Sequence, residues 1–160
     1  MTEQNTNAEA GDQAAPVFRM QKLYVKDLSF ENPNAPEVFF TQAEPKVDFN
    51  MRLKNKKKEN DIYEISIVIT ATITDNKKGT TLFIVEIEHA AAFLLKNIPE
   101  EHMPMVLAVE CPTTMFPYTR QVVSQLSVDG GYMPFLMEPV NFLALFQQAQ
   151  QQQEQQPPQQ

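Results

Sequence analysis

Four stretches of this chain alternate apolar and polar side chains with a period of two, and this repeat constrains the fold more than any other feature. Successive side chains of a pleated strand point to opposite faces, so each stretch predicts a strand with one buried face. In the first, Phe18, Met20, Tyr24, Leu28 and Phe30 are assigned to one face, with Arg19, Gln21, Asp27 and Ser29 on the other. In the second, Val47, Phe49, Met51 and Leu53 alternate with Lys46, Asp48, Asn50, Arg52 and Lys54. The third, Ile62 to Thr74, sets Tyr63, Ile65, Ile67, Ile69 and Ile73 against Glu64, Ser66, Thr70, Thr72 and Thr74. The fourth, Thr81 to Phe93, sets Phe83, Val85, Ile87 and Phe93 against Ile84, Glu86 and Glu88. The short joins Asn55–Asp61 and Asp75–Thr80 predict a meander of strands two to four. Glu31–Glu44, with Pro33 and Pro36, is too long for a tight hairpin and predicts that strand one crosses over to another place in the sheet.

After Phe93 the pattern becomes helical. Glu100 to Ser127 contains Pro112 and Pro117, each removing a backbone donor and crowding the preceding turn, which predicts a kinked or two-piece helix. Val122, Val123 and Leu126 continue its apolar face, and Asp129, Gly130 and Gly131 stop it. A last helix begins near Asn141, with Phe142, Leu145, Phe146 and Ala149 on one stripe. The predicted class is α+β: a four-stranded antiparallel sheet with a crossover segment and two helices on one face. At 160 residues the chain is expected to form one domain. Residues 1–16 and the Gln/Pro-rich stretch 147–160 are expected to lack order, because neither can offset its ordering entropy by burial; residues 17–146 form the domain.

Charge narrows the partners. The chain has 13 Lys and Arg against 20 Asp and Glu. Six of the basic residues fall between Lys46 and Lys58, so the remainder is strongly acidic. Such a surface repels nucleic-acid phosphates and anionic lipid and suits basic protein segments. The cluster Lys54–Lys58 reads as a solvated hairpin tip. The single cysteine, Cys111, excludes an intramolecular disulfide and fits a reducing, cytoplasmic setting. The N-terminal residues carry neither a basic n-region nor an apolar run, and no apolar stretch has the length of a membrane span.

Three blocks of the sequence resemble the SecB family of protein-export chaperones: YVKDLSFENPNAPEVF (Tyr24–Phe39), CPTTMFPYTRQVVSQL (Cys111–Leu126) and GGYMPFLMEPVNFLALF (Gly130–Phe146). The resemblance spans about Phe18–Phe146. It implies an α+β domain assembled as a homotetramer, a dimer of dimers. It also implies nucleotide-independent holding of unfolded secretory preproteins and their delivery to the SecA motor, with no cofactor. Three positions depart from the family pattern: Ala43 where Trp is frequent, Leu143 where an acidic residue is frequent, and Gln121 where Glu is frequent.

The resemblance assigns SecA binding to Asp27, Glu31, Ile84 and Glu86. Taken alone, these charges read as a solvated sheet face. Ile84 among carboxylates on that face favours a protein contact, with the carboxylates steering a basic partner and the apolar group anchoring it. For clients, Phe39, Phe40, Met133, Phe135, Leu136 and Phe142 are the expected groove residues, with Met103, Met105 and Met137 as further candidates. The flexible thioethers suit varied partners, although core packing is the plainer reading for several of them. Strand one and the helix face around Val122 and Leu126 are expected to be partly covered between subunits. The alternatives are a SecB-like chaperone of a toxin–antitoxin pair and a small hydrolase using Cys111 with His89 or His102. The hydrolase lacks a glycine-rich turn or oxyanion motif around Cys111. The Cys and His spacing does not match a zinc site, and no phosphate loop is present.

Overall fold

Strands β1 (Val17–Glu31), β2 (Pro45–Lys57), β3 (Ile62–Asp75) and β4 (Thr81–Lys96) pair antiparallel in the order β1-β4-β3-β2. The structure is a computed structural model describing residues 14–155; the expectations of disorder for 1–13 and 156–160 lie outside the described residues. β2, β3 and β4 form the expected meander. The segment after Glu31, with a 3-10 turn at Glu37–Phe40, carries the chain from β1 at one sheet edge to β2 at the other. The β2–β3 turn is tighter than its sequence implied: pairing continues to Lys57 opposite Tyr63, and Asn60 and Asp61 make the reversal at positive φ. The lysine cluster therefore lies mostly on the strand.

One face of the sheet is defined by odd-numbered residues of β3 and β4. Ile65, Ile67, Ile69, Val85, Ala91 and Phe93 on this face are almost fully buried. β1 reaches the same face only by breaking its period. Its register slips between Met20 and Lys22 and again between Val25 and Asp27, so two residues bulge. The core-facing set becomes Phe18, Met20, Leu23, Val25, Leu28 and Phe30, opposite Leu95, Phe93, Ala91, His89, Ile87 and Val85. Tyr24, expected on that face, instead stands opposite Ala90 on the other face, because each bulge reverses the side-chain alternation.

The odd face is covered by α1 (Met103–Met105), a π-helical segment (Val106–Glu110) and α2 (Cys111–Asp129). These run on without a break, and the widened turn falls just before Pro112, where a ring needs room and a donor is missing. Pro117 is accommodated inside α2. α2 packs on β3 and β4 through buried Met115, Phe116 and Val123. α3 (Phe142–Glu154) packs on the π segment, and the Asn141 side chain caps it by accepting from Ala144 N at 3.0 Å. The helix runs to Glu154, well into the Gln-rich stretch expected to lack order, since Gln is a good helix former once a capped turn precedes it.

Candidate binding surfaces

The even-numbered face of the sheet carries no helix, and four of the expected residues meet there. Glu31 pairs directly with Ile84, Ser29 with Glu86 and Asp27 with Glu88. Directly opposed side chains lie about 5 Å apart at Cβ, which makes Asp27, Glu31, Ile84 and Glu86 one continuous patch. The three carboxylates are exposed, and Ile84 is half-buried between them.

Farther along this face the carboxylates are held by lysines. Lys54 Nζ lies 2.9 Å from Glu88 Oε1, and Lys26 Nζ lies 2.8 Å from Glu64 Oε1. Tyr24, turned outward by the bulges, donates its hydroxyl to Glu64 Oε2 at 2.5 Å. The Lys54 contact holds Glu88 below the usual carboxylate range, and the hydrogen bonds from Lys26 and Tyr24 do the same for Glu64. Burial and the Glu64 partner push the Tyr24 phenol up to about 12. Asp27, Glu31 and Glu86 form no ion pair among the described residues, so their charge stays available to a partner.

The second surface lies on the helix side, around the crossover and the connection 132–140. Gly131, at φ +92°, turns the chain after α2, and a Cβ there would sit 2.9 Å from the Phe39 ring. Phe39 packs on Tyr132 at 5.2 Å between centroids, Tyr132 on Phe83 at 4.7 Å, and Phe83 on Phe135 edge-on at 6.4 Å. The Tyr132 hydroxyl lies 2.6 Å from Asn32 Oδ1 and 2.8 Å from the Leu82 carbonyl oxygen, and Phe135 N donates to Ser127 Oγ at 2.8 Å. This pinned aromatic ladder leaves Phe40, Met133 and Leu136 projecting, at 85%, 86% and 73% exposure.

Beside it runs an open groove of about 440 Å³ lined by Val47 and Phe49 of β2 and by Phe135–Val140. Val47 and Phe49 belong to the apolar face of β2, which the alternation predicts to be buried. They stay partly exposed because β2 is the sheet edge and the α2 layer packs over β3 and β4. Phe142 is corrected in the opposite sense: it is buried edge-on against Phe116 at 5.8 Å and is a core side chain outside the groove. Met137 is likewise buried, Met103 packs against the core, and Met105 is partly exposed. Ala43, one of the departures, packs against the core margin.

Cys111 is fully buried, and burial pushes its thiol up to about 12, which leaves no thiolate for nucleophilic chemistry. His89 hydrogen-bonds Thr119, and His102 lies near Glu101 at the surface.

Comparison with known proteins decides the family. Residues 11–153 match the family described as "Preprotein translocase subunit SecB". The chain belongs to the SecB family. It is 61% identical over 137 residues to the protein-export protein SecB of Desulfotalea psychrophila, covering 85% of this chain and 88% of that one. It is 46% identical to the SecB of Magnetococcus marinus, covering 91% and 92%. Among solved structures it resembles a SecB-like chaperone of Mycobacterium tuberculosis in complex with an antitoxin peptide, with a TM-score of 0.60 at 15% identity, over 77% of this chain and 90% of that one. That likeness shows a shared SecB fold. No helix among the described residues is long and apolar enough to cross a membrane.

Proposed function

We propose that this SecB-family chain is a cytoplasmic holdase in protein export, binding unfolded secretory preproteins on its helix side and SecA on its open sheet face. The family carries the chaperone assignment. The observation that supports the division of labour is the separation of the surfaces: projecting Phe40, Met133 and Leu136 with the Val47/Phe49 groove on one side, unpaired Asp27, Glu31 and Glu86 around Ile84 on the other. An adaptable apolar groove suits many client sequences, and exposed carboxylates around an apolar anchor suit a basic docking segment. A toxin–antitoxin role rests on a neighbour at 15% identity and is not adopted.

The assembly supporting this activity is a homotetramer. β1 is an edge strand with unpaired backbone groups, and Val25, Leu28 and Tyr118 beside it remain partly exposed. A groove of about 490 Å³ runs between β1 and α2, lined by Leu23, Val25, Tyr118, Val122 and Leu126, and a second copy is its natural cover. Several subunits engaging one client then add avidity to weak individual contacts.

The test is aggregation of an unfolded secretory precursor diluted from denaturant without nucleotide. The parent chain suppresses light scattering, whereas a folded, assembled Phe40→Ser/Leu136→Ser variant suppresses it at least several-fold less and still binds SecA. Equal suppression by the variant places the client site elsewhere.

A further inference from the structure

His89 is a histidine in an apolar wall. It is 3% exposed, lies on the core-facing side of β4 opposite Val25 and Ile67, and lines the groove between β1 and α2. Its Nδ1 is 2.8 Å from Thr119 Oγ1 on α2, and the Thr119 hydroxyl is directed to the Met115 carbonyl oxygen at 3.4 Å. With the Thr119 hydrogen directed to Met115, its oxygen can offer His89 a lone pair, and we assign the ring proton to Nδ1, which leaves Nε2 as the acceptor.

The surroundings suit only this neutral form. The other residues lining the groove are Leu23, Tyr24 and Val25 from β1 and Tyr118, Gln121, Val122, Gln125 and Leu126 from α2, while β3 places Ile67 opposite His89 in the ladder. The titratable side chain among them is the Tyr118 phenol, since Tyr24 turns its hydroxyl to Glu64 on the other face, and among the described residues no carboxylate, lysine or arginine lines the groove. Glu64, Glu86 and Glu88 belong to the even-numbered face of the sheet. A charge on His89 therefore meets no counter-ion, and burial alone lowers its pKa from the ordinary 6.5.

We propose that His89 is a pH-sensitive lock on subunit assembly: neutral, it lets a second copy of the chain close over the β1–α2 groove, and protonated, it opens that interface. This rests on the assembly reading above. In the closed interface, Gln121, Gln125 or Tyr118 of the second copy supplies the donor for Nε2; protonation replaces that acceptor with a second N–H and places an uncompensated cation where water has been excluded. Burial already lowers the pKa in the single chain, so the open state takes up its proton only below the ordinary 6.5, and the interface is lost as the pH falls through and below that lowered value.

Sedimentation of the full chain at fixed micromolar concentration, stepped from pH 7.5 to pH 5, tests the lock. The wild type should lose most of its tetramer mass below pH 6.5, His89→Gln should keep it across the range, and His102→Gln should dissociate with the wild type. A wild type that remains tetrameric at pH 5, or a His89→Gln chain that dissociates in parallel with it, overturns the proposal. A monomer at pH 7.5 overturns the assembly reading as well. If His89→Gln fails to fold by circular dichroism, NMR titration of the wild-type histidines replaces it: the His89 midpoint must coincide with the mass change, and a separate midpoint sinks the lock.

Discussion

β4 exposes the same stretch of backbone to two different jobs. Its residues Val85, Ile87 and Phe93 face the helices and are buried, while Ile84, Glu86 and Glu88 face away from them. On the covered face, side chains are chosen by volume and fit, and a change there is read in stability. On the open face, charge and exposure decide, and a change is read in binding. The comparison teaches that identity at one position of a strand carries a different kind of information from identity at the next.

The covered face should give the largest effect. Phe93→Ala removes a ring with no exposed surface and should cost roughly 3–5 kcal/mol, measured as a fall in the denaturant midpoint. A loss under about 1 kcal/mol would break the comparison, because the pocket would then be collapsing freely.

Next comes the turn that places the aromatic ladder. Gly131→Ala puts a Cβ at positive φ and against the Phe39 ring, and should destabilise by roughly 1–3 kcal/mol while also weakening client capture. Full client capture at reduced stability would separate the turn from the groove.

The open face should behave in the opposite way. Asp27→Lys or Glu86→Lys should change stability by no more than about 0.5 kcal/mol. The same variants should weaken SecA binding about tenfold or more in titration calorimetry, and parent affinity should fall as salt rises. Unchanged SecA affinity with the assembly intact would remove these carboxylates from the docking patch.

The smallest effect belongs to Glu64, where the open face is internally paired. Its carboxyl is held below the ordinary 4.5, so the folded chain binds fewer protons there than the unfolded chain. The contribution is present above that ordinary value and is lost as the pH falls through the lowered one. Glu64→Gln should cost about 0.2–1 kcal/mol at pH 7 and progressively less toward pH 3, followed by urea unfolding across pH. A constant difference across that range would show that the pairing with Lys26 and Tyr24 is not what holds the group.

Much of this was legible from residue order because strand alternation is a local property. Ile65, Ile67 and Ile69 cannot avoid sharing a face, the long join after Glu31 cannot make a tight hairpin, and Gly131 at positive φ stops a helix by its own backbone. The patch of Asp27, Glu31, Ile84 and Glu86 needed more: the resemblance supplied the residues, and the β1–β4 register brought them together. What only the tertiary structure decided depends on neighbours distant in sequence. Tyr24 faces Glu64 because two bulges adjust β1 to β4. Val47 and Phe49 remain open because the helix layer packs over the middle of the sheet and β2 forms its edge, and Phe142 is closed because Phe116 meets it. An apolar side chain in the sequence states that burial is favourable; whether another element arrives to cover it is settled by packing across the whole domain.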